Sequence, residues 1–255
     1  MKYSDYKRNH VIIPGQEKDL EEFLKQTYKG MKHKWEHRCN SNSEDALTWS
    51  CFKIIDNFPF EIKKLVLDEL LEDSFDGKPD FKFADSLYVN KEIKIYVGKT
   101  YEGKKTKEST EVDASIELPD KLIFFEAKLY SSISLVNKEK DVEYDQIAKK
   151  LRVGIDHAQG KDFYFIFLDI APVNKLNRRS TREEAKDKGE NFHDKWKSAW
   201  WFSYYKNGRN GSLSPLRKIL EDIDVKNIEE VASRMGWLTW TNLFKTILRG
   251  TFIKK

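Results

Sequence analysis

The sequence predicts an α/β fold in which helices flank a mixed central β-sheet, followed by a helical, aromatic-rich C-terminal region. Residues 112–129 have the pattern of two strands joined by a tight turn, and residues 162–170 (DFYFIFLDI) are nearly all apolar. A continuous apolar run is typical of a strand covered on both faces in a parallel or mixed sheet. A helical pattern over residues 139–157 lies between these segments and completes an α/β arrangement.

Three helices are predicted ahead of the sheet from apolar residues at helical spacing. Ser43 is a candidate N-cap for the second of them, whose apolar stripe should be buried. In chain order the predicted elements are helix 16–28, a polar link 29–42, helix 43–56, helix 60–71, strand 93–97 and a basic loop 98–109.

The turn of the hairpin determines how its two strands pair. Pro119 and Asp120 suit the central positions of a type I turn. Counting back from this turn places Asp113 opposite Glu126. Because side chains alternate along a strand, one face of the hairpin is wholly apolar, and the other carries both of these acids together with Lys128.

Two opposed carboxylates need a compensating charge. Directly opposed side chains have Cβ atoms ~4.5–5.5 Å apart, and like charges at that spacing destabilise a sheet. A divalent cation shared by Asp113 and Glu126 would remove the repulsion, and Mg²⁺ prefers oxygen ligands. Alternatively, both acids splay into water and Lys128 pairs with Glu111, as on an ordinary solvated face. The apolar residues preceding Glu126 favour a buried acid at the end of a central strand.

Asp113, twelve intervening residues and then Glu126-Ala127-Lys128 resemble the signature of the restriction-endonuclease-like PD-(D/E)XK nuclease superfamily. The family's proline is replaced here by Val112, at a position that varies widely in the superfamily. The resemblance extends over roughly half of the chain. It implies a restriction-endonuclease-like core.

The resemblance also implies a set of active-site residues on neighbouring elements. Mg²⁺, for which Mn²⁺ can substitute, would be bound by the two motif acids, a backbone carbonyl and a glutamate on the helix preceding the sheet. The motif lysine would orient the attacking water, and a glutamine on the following helix would position water or phosphate. The residues that match these roles are Glu44, Asp113, Glu126, Ala127, Lys128 and Gln146.

The implied activity is hydrolysis of DNA phosphodiester bonds by a metal-dependent endonuclease, in a restriction or phage-defence role. Repair and recombination nucleases share the same core and are an alternative. A second alternative is a nuclease-like fold that only binds nucleic acid. A third is a protein that binds other proteins and has no enzymatic activity. Many such enzymes dimerise to cut both strands, so a homodimer is one possible assembly.

The C-terminal third is basic and rich in aromatic residues. Residues 174–218 contain twelve Lys or Arg and five Asp or Glu residues. Basic side chains can neutralise phosphates, and aromatic rings can stack on unpaired bases. The aromatic residues are equally consistent with a core, and the basic ones with a solvated helix. The candidate phosphate contacts are Arg178, Arg179, Arg182, Lys186 and Lys188.

Residues 228–248 have a helix–glycine–helix pattern. We expect an ordinary helical hairpin that closes the fold. A DNA-reading helix-turn-helix is the alternative, although Asn242 and Lys245 lie where that motif buries apolar side chains.

The composition argues against a membrane protein. No stretch of ~18 apolar residues occurs, and the first residues lack the apolar core of a signal peptide. We therefore expect a cytoplasmic protein, in which both cysteines are reduced. The expected organisation is a helical extension over residues 1–42, a nuclease-like core over 43–172 and a basic region over 173–255 that packs on the core.

Overall fold

The computed structural model describes residues 2–9, 13–40, 43–75, 77, 79–129, 146–169, 216–223, 225 and 227–253. The helices are α1 (Tyr6–Asn9), α2 (Glu17–Lys25), α3 (His33–His37), α4 (Asp45–Asp56), α5 (Phe60–Ser74), α6 (Gln146–Ala158), α7 (Leu216–Ile219), α8 (Ile228–Ser233) and α9 (Trp240–Ile253). The strands are β1 (Lys94–Glu102), β2 (Ser109–Glu117), β3 (Lys121–Ala127), β4 (Asp162–Asp169) and β5 (Met235–Thr239). Within these described segments, none of the helices is long and apolar enough to cross a membrane.

The five strands form one mixed sheet in the order β1-β2-β3-β4-β5. β1, β2 and β3 pair antiparallel, whereas β3, β4 and β5 pair parallel. A parallel pair requires a crossover connection, and α6 lies in the connection between β3 and β4. The predicted α/β fold with helices flanking a mixed sheet is therefore confirmed.

The register predicted for the hairpin is correct over its paired length. Ala114 lies opposite Phe125, and Ile116 lies opposite Ile123. The apolar face of the hairpin is buried under α4, where the rings of Phe52 and Phe125 have centroids 4.8 Å apart. The turn residues and the alternation of side chains were therefore sufficient to fix this pairing.

The opposite face of the sheet is covered by α6, which lies very close to the strands. A Cβ added to Gly154 would be 2.2 Å from the Phe163 ring and 2.9 Å from the Phe124 ring. Glycine at this position therefore allows the helix backbone to approach the sheet. The close contact sets the distance between α6 and the strands of the sheet, two of which, β2 and β3, carry the predicted active-site acids.

The N-terminal helices pack on the start of α4 through a second apolar cluster. Phe23 of α2 stacks on Trp49 of α4, with ring centroids 6.5 Å apart. The predicted helices of this region are present with different ends, and α3 lies within the stretch predicted to be a polar link. The cluster consists of Tyr6, Leu20, Phe23, Leu24, Ala46 and Trp49.

Strand β1 is longer than predicted. The predicted strand stopped at Val97, but pairing with β2 continues to Glu102, so the first residues of the predicted basic loop belong to the sheet. Tyr101 explains the difference, because its ring is buried and packs 4.6 Å from the Phe124 ring. The strand was not predicted to extend this far because the lysines near Tyr101 are typical of an exposed loop.

The predicted helical hairpin over residues 228–248 is wrong, and so is the helix-turn-helix alternative. Met235–Thr239 forms β5, which pairs with the edge of β4 and is buried along its whole length. A Cβ on Gly236 would be 2.9 Å from the Phe75 ring. This glycine therefore allows the ring of Phe75, the residue after α5, to pack against β5, and it is not a turn between two helices.

Candidate active site

The pairing between β2 and β3 ends one residue before the two predicted acids. The last paired residues are Ala114 and Phe125. Beyond them, the carboxylate of Asp113 accepts a hydrogen bond from the backbone N–H of Ala127 at 2.7 Å. The Asp113 carboxylate is thus hydrogen-bonded to the backbone where the pairing of the hairpin stops. Its side chain is 23% exposed to solvent. The neighbouring Glu126 is fully buried.

Lys128 follows β3 directly, and its backbone is held on both sides. Its N–H donates to the carbonyl of Leu168 at 2.8 Å, and its carbonyl accepts from the indole of Trp240 at 3.0 Å. Its buried ammonium group lies 3.0 Å from Glu126 Oε1 and 3.6 Å from Glu44 Oε1. The lysine therefore links the strand end to the first turn of α4. The alternative pairing with Glu111 is not observed.

Glu44 occupies the N-cap position of α4, one residue before the helix begins. The prediction of Ser43 as the cap is wrong, because the Ser43 hydroxyl contacts the carboxylate of Asp45 at 3.1 Å. The Glu44 side chain makes no capping hydrogen bond and reaches Lys128 instead. The helix start thus brings a third carboxylate to Lys128 and the two acids.

Gln146 is the first residue of α6, and its amide Nε2 donates to Glu126 Oε1. One helical turn later, the ammonium group of Lys150 hydrogen-bonds Glu126 Oε2 and lies 3.7 Å from Asp113 Oδ1. Lys150 was not among the site residues predicted from the sequence. The sequence feature that could have identified it is its spacing of four residues from Gln146, which places both side chains on one face of the helix.

The cluster combines three carboxyl groups with two ammonium groups in a nearly dry environment. Burial raises the pKa of Asp113 well above its ordinary value, and the nearby negative charge of Glu126 raises it further. Burial opposes ionisation of Glu126 as well, but Lys128 and Lys150 outweigh it and lower the pKa of that carboxyl to about 2. The site therefore favours a proton on Asp113 and a negative charge on Glu126.

The same carboxylates keep both lysines charged. Burial alone would lower the pKa of each ammonium group, yet the acids around them raise the pKa of Lys128 and of Lys150 above the ordinary value. The positive charges are thus retained inside the protein, where each is 7% exposed. Such a cluster suits chemistry on an anion, because two cations are held at fixed positions beside Asp113, whose side chain is partly exposed.

The oxygen atoms of the site fit a partly hydrated Mg²⁺ ion. Among the described residues, no three His, Cys, Asp or Glu side chains are grouped so that they could hold a metal ion. Mg²⁺ is commonly bound by one or two carboxylates while it keeps several waters and contacts substrate phosphates. Asp113, Glu126 and the carbonyl of Ala127 are compatible with such a partly hydrated ion. They do not form a closed protein cage.

All six positions matched to the nuclease signature meet in this cluster, through the contacts given above. The predicted phosphate contacts Arg178, Arg179, Arg182, Lys186 and Lys188 lie outside the described residues. No protein-family model, curated protein or solved structure matches this chain. Any conclusion about activity therefore depends on the residues of the site itself.

Proposed function

We propose that this protein is a metal-dependent endonuclease that hydrolyses DNA phosphodiester bonds on a restriction-endonuclease-like core. One observation carries the proposal. Asp113 lies on β2 where its pairing with β3 stops, and Glu126 and Lys128 lie at the adjoining end of β3, in the order of the signature. Glu44 and Gln146 reach these residues from the flanking helices. An ordinary exposed hairpin would not bury Glu126 and Lys128 together.

Mg²⁺ or Mn²⁺, when bound, would polarise the scissile phosphate and lower the pKa of a coordinated water. Asp113 and Glu126 would hold the ion, with the Ala127 carbonyl as a third oxygen. Lys128, held at the backbone by Leu168 and Trp240, would orient the attacking water and stabilise charge that builds on the phosphate oxygens.

Gln146 and Glu44 act on these groups from the flanking helices. The Gln146 amide donates to Glu126 and thereby fixes the direction of its carboxylate. Glu44 contacts the ammonium group of Lys128 and restrains it from the opposite side. Both are expected to matter for the geometry of the site, since small displacements of reacting groups cost large factors in rate.

The charge cluster favours an enzyme over a fold that only binds nucleic acid. Buried ion pairs are commonly no better for stability than packed apolar residues, so stability alone does not explain why these positions are charged. Carboxylates near a polyanion would weaken simple binding. We favour a restriction or phage-defence role, with repair or recombination as the second candidate. The compact core with an added basic segment suits either.

The test is cleavage of supercoiled and linear DNA by the wild type, Asp113→Asn and Lys128→Met proteins with Mg²⁺ or Mn²⁺. We expect metal-dependent cleavage that falls at least ~100-fold in each variant, as for the loss of one transition-state contact. Variants that cleave as fast as the wild type would remove these residues from the mechanism. DNA binding by the wild type without cleavage in Mg²⁺ or in Mn²⁺ would favour the pure binder.

Two matched controls separate chemistry from stability. Lys63→Met removes another buried lysine, which pairs with Asp56 at 3.0 Å in a different part of the protein. Asp68→Asn alters another buried aspartate, which accepts a hydrogen bond from the backbone N–H of Ala84 at 2.9 Å. Both controls should lose stability and keep cleavage activity per folded molecule.

A further inference from the structure

Lys150 occupies a position between the two carboxylates that we assign to the metal ion. Its ammonium group hydrogen-bonds Glu126 Oε2 and lies 3.7 Å from Asp113 Oδ1. The side chain is 9% exposed, so little solvent reaches the pair. A cation that bridges Asp113 and Glu126 is therefore already present in the chain itself.

The remaining oxygen of Glu126 is also engaged. Glu126 Oε1 accepts from Gln146 and lies 3.0 Å from the ammonium group of Lys128. Each carboxylate oxygen has two lone pairs, so the one that stays open on Glu126 is on Oε2, where a divalent ion would lie directly beside the ammonium group of Lys150. Lys150 is the donor that contacts both acids, and two cations at such short distances repel each other strongly.

The backbone that carries Lys150 is firmly held, so only its side chain is able to leave. Two residues further along α6, the guanidinium of Arg152 binds the Asp222 carboxylate at 2.5 and 2.7 Å and Glu108 at 2.8 Å. The adjacent Leu151 is fully buried. A lysine side chain has a flexible four-carbon stem and a compact ammonium group, so the Lys150 ammonium group is able to move away from the two acids.

We propose that Lys150 is an internal counterion that competes with the metal ion for Asp113 and Glu126. In the free protein it compensates the charge of Glu126, lies beside Asp113 and keeps the affinity for divalent cations low. On metal binding its ammonium group leaves the carboxylates for the nearest anion, a phosphate of the substrate. Metal and nucleic acid therefore strengthen each other's binding. This inference rests on the proposed metal site, but it does not require cleavage.

The test is calorimetric titration of Mn²⁺ into the full chain without nucleic acid. Lys150→Met and Lys150→Gln should bind Mn²⁺ at least tenfold more tightly than the wild type. The glutamine variant keeps a hydrogen-bond donor for Glu126, and it carries the test if the methionine variant does not fold. Lys150→Arg retains the charge and should bind no more tightly than the wild type.

Lys149→Met is the matched control. It removes the same charge from the preceding position of α6, where the side chain is only half-buried and interacts with Lys29 and Glu108. It should leave Mn²⁺ affinity within a factor of two to three of the wild type. Adding Asp113→Asn to Lys150→Met should abolish the gain, because the additional affinity arises between the two acids.

A second readout is thermal stability. A ligand that binds only the folded state raises the unfolding temperature in proportion to the logarithm of its concentration over Kd. Millimolar Mn²⁺ should therefore raise the unfolding temperature of Lys150→Gln more than that of the wild type. Equal or weaker Mn²⁺ binding by both neutral variants would overturn the proposal.

The outcomes separate this inference from the proposed function. Metal-dependent cleavage by the wild type, with Mn²⁺ affinity unchanged in the Lys150 variants, would leave the nuclease standing and remove the counterion role. Tighter Mn²⁺ binding in the variants of a protein that cleaves no DNA would establish the counterion role and remove the nuclease.

Discussion

Neutralising Glu126 tests whether this acid is held ionised by the two lysines. In the folded protein its pKa is lowered to about 2, from an ordinary value of 4.5. A lowered folded-state pKa contributes stability that is present above the unfolded pKa and is lost as the pH falls through the folded pKa. At about 1.4 kcal/mol per pKa unit, the contribution at pH 7 is about 3 kcal/mol.

Glu126→Gln keeps the size of the side chain and removes the charge. We expect the variant to unfold more easily at pH 7 by up to about 3 kcal/mol. This loss of unfolding free energy is an upper limit. Once Glu126 is neutral, Asp113 is able to ionise and its negative charge then compensates the positive charges of the lysines. The difference from the wild type should decline between pH 4.5 and 2, where the wild-type carboxylate becomes protonated.

Urea unfolding followed by tryptophan fluorescence at several pH values measures this difference. Glu117→Gln is the control, since Glu117 is 25% exposed and bonds Lys99 and Tyr101 away from the site. Its effect should be smaller. A difference between Glu126→Gln and the wild type that stays constant from pH 7 to pH 2 would refute the assignment of the charge to Glu126. Adding Asp113→Asn should remove the compensation and restore the full loss at pH 7.

Two further predictions concern the packing that positions the site. Gly154→Ala should destabilise the protein by about 1–3 kcal/mol, because the new methyl group meets the Phe163 ring; an unchanged unfolding temperature would contradict the close approach of α6. Trp240→Phe removes the only indole hydrogen bond described for the Lys128 carbonyl and should cost about 1–3 kcal/mol in urea unfolding. Equal stability of that variant would show that the bond contributes nothing.

The hairpin could be predicted because its determinants are local. Pro119 and Asp120 specify the turn, and alternation then assigns every side chain to a face. The pairing of Ala114 with Phe125 follows from these two facts alone. The approach of Asp113 to Glu126 was predicted as a direct cross-strand pair. In the structure, β2 and β3 stop pairing one residue earlier, and the Asp113 carboxylate accepts a hydrogen bond from the Ala127 N–H. Departures of this kind occur where pairing stops, and no residue pattern marks that point.

The parts that sequence analysis missed depend on distant segments. Met235–Thr239 is a strand because the edge of β4 offers backbone partners, and local pattern alone favoured a helix–glycine–helix segment. Lys150 is a typical exposed residue of an amphipathic helix by its sequence context. Its burial becomes favourable only beside Asp113 and Glu126, which belong to other elements. Such long-range compensation of charge cannot be read from periodicity.

The hydrogen bond from Trp240 to Lys128 has a consequence for the protein during its synthesis. The two residues are 112 positions apart, and Trp240 follows directly on the outermost strand. A nascent chain therefore carries the motif acids long before the support for its lysine emerges from the ribosome. If the protein cuts DNA, this order of synthesis delays the finished catalytic centre until the segment around Trp240 has been made.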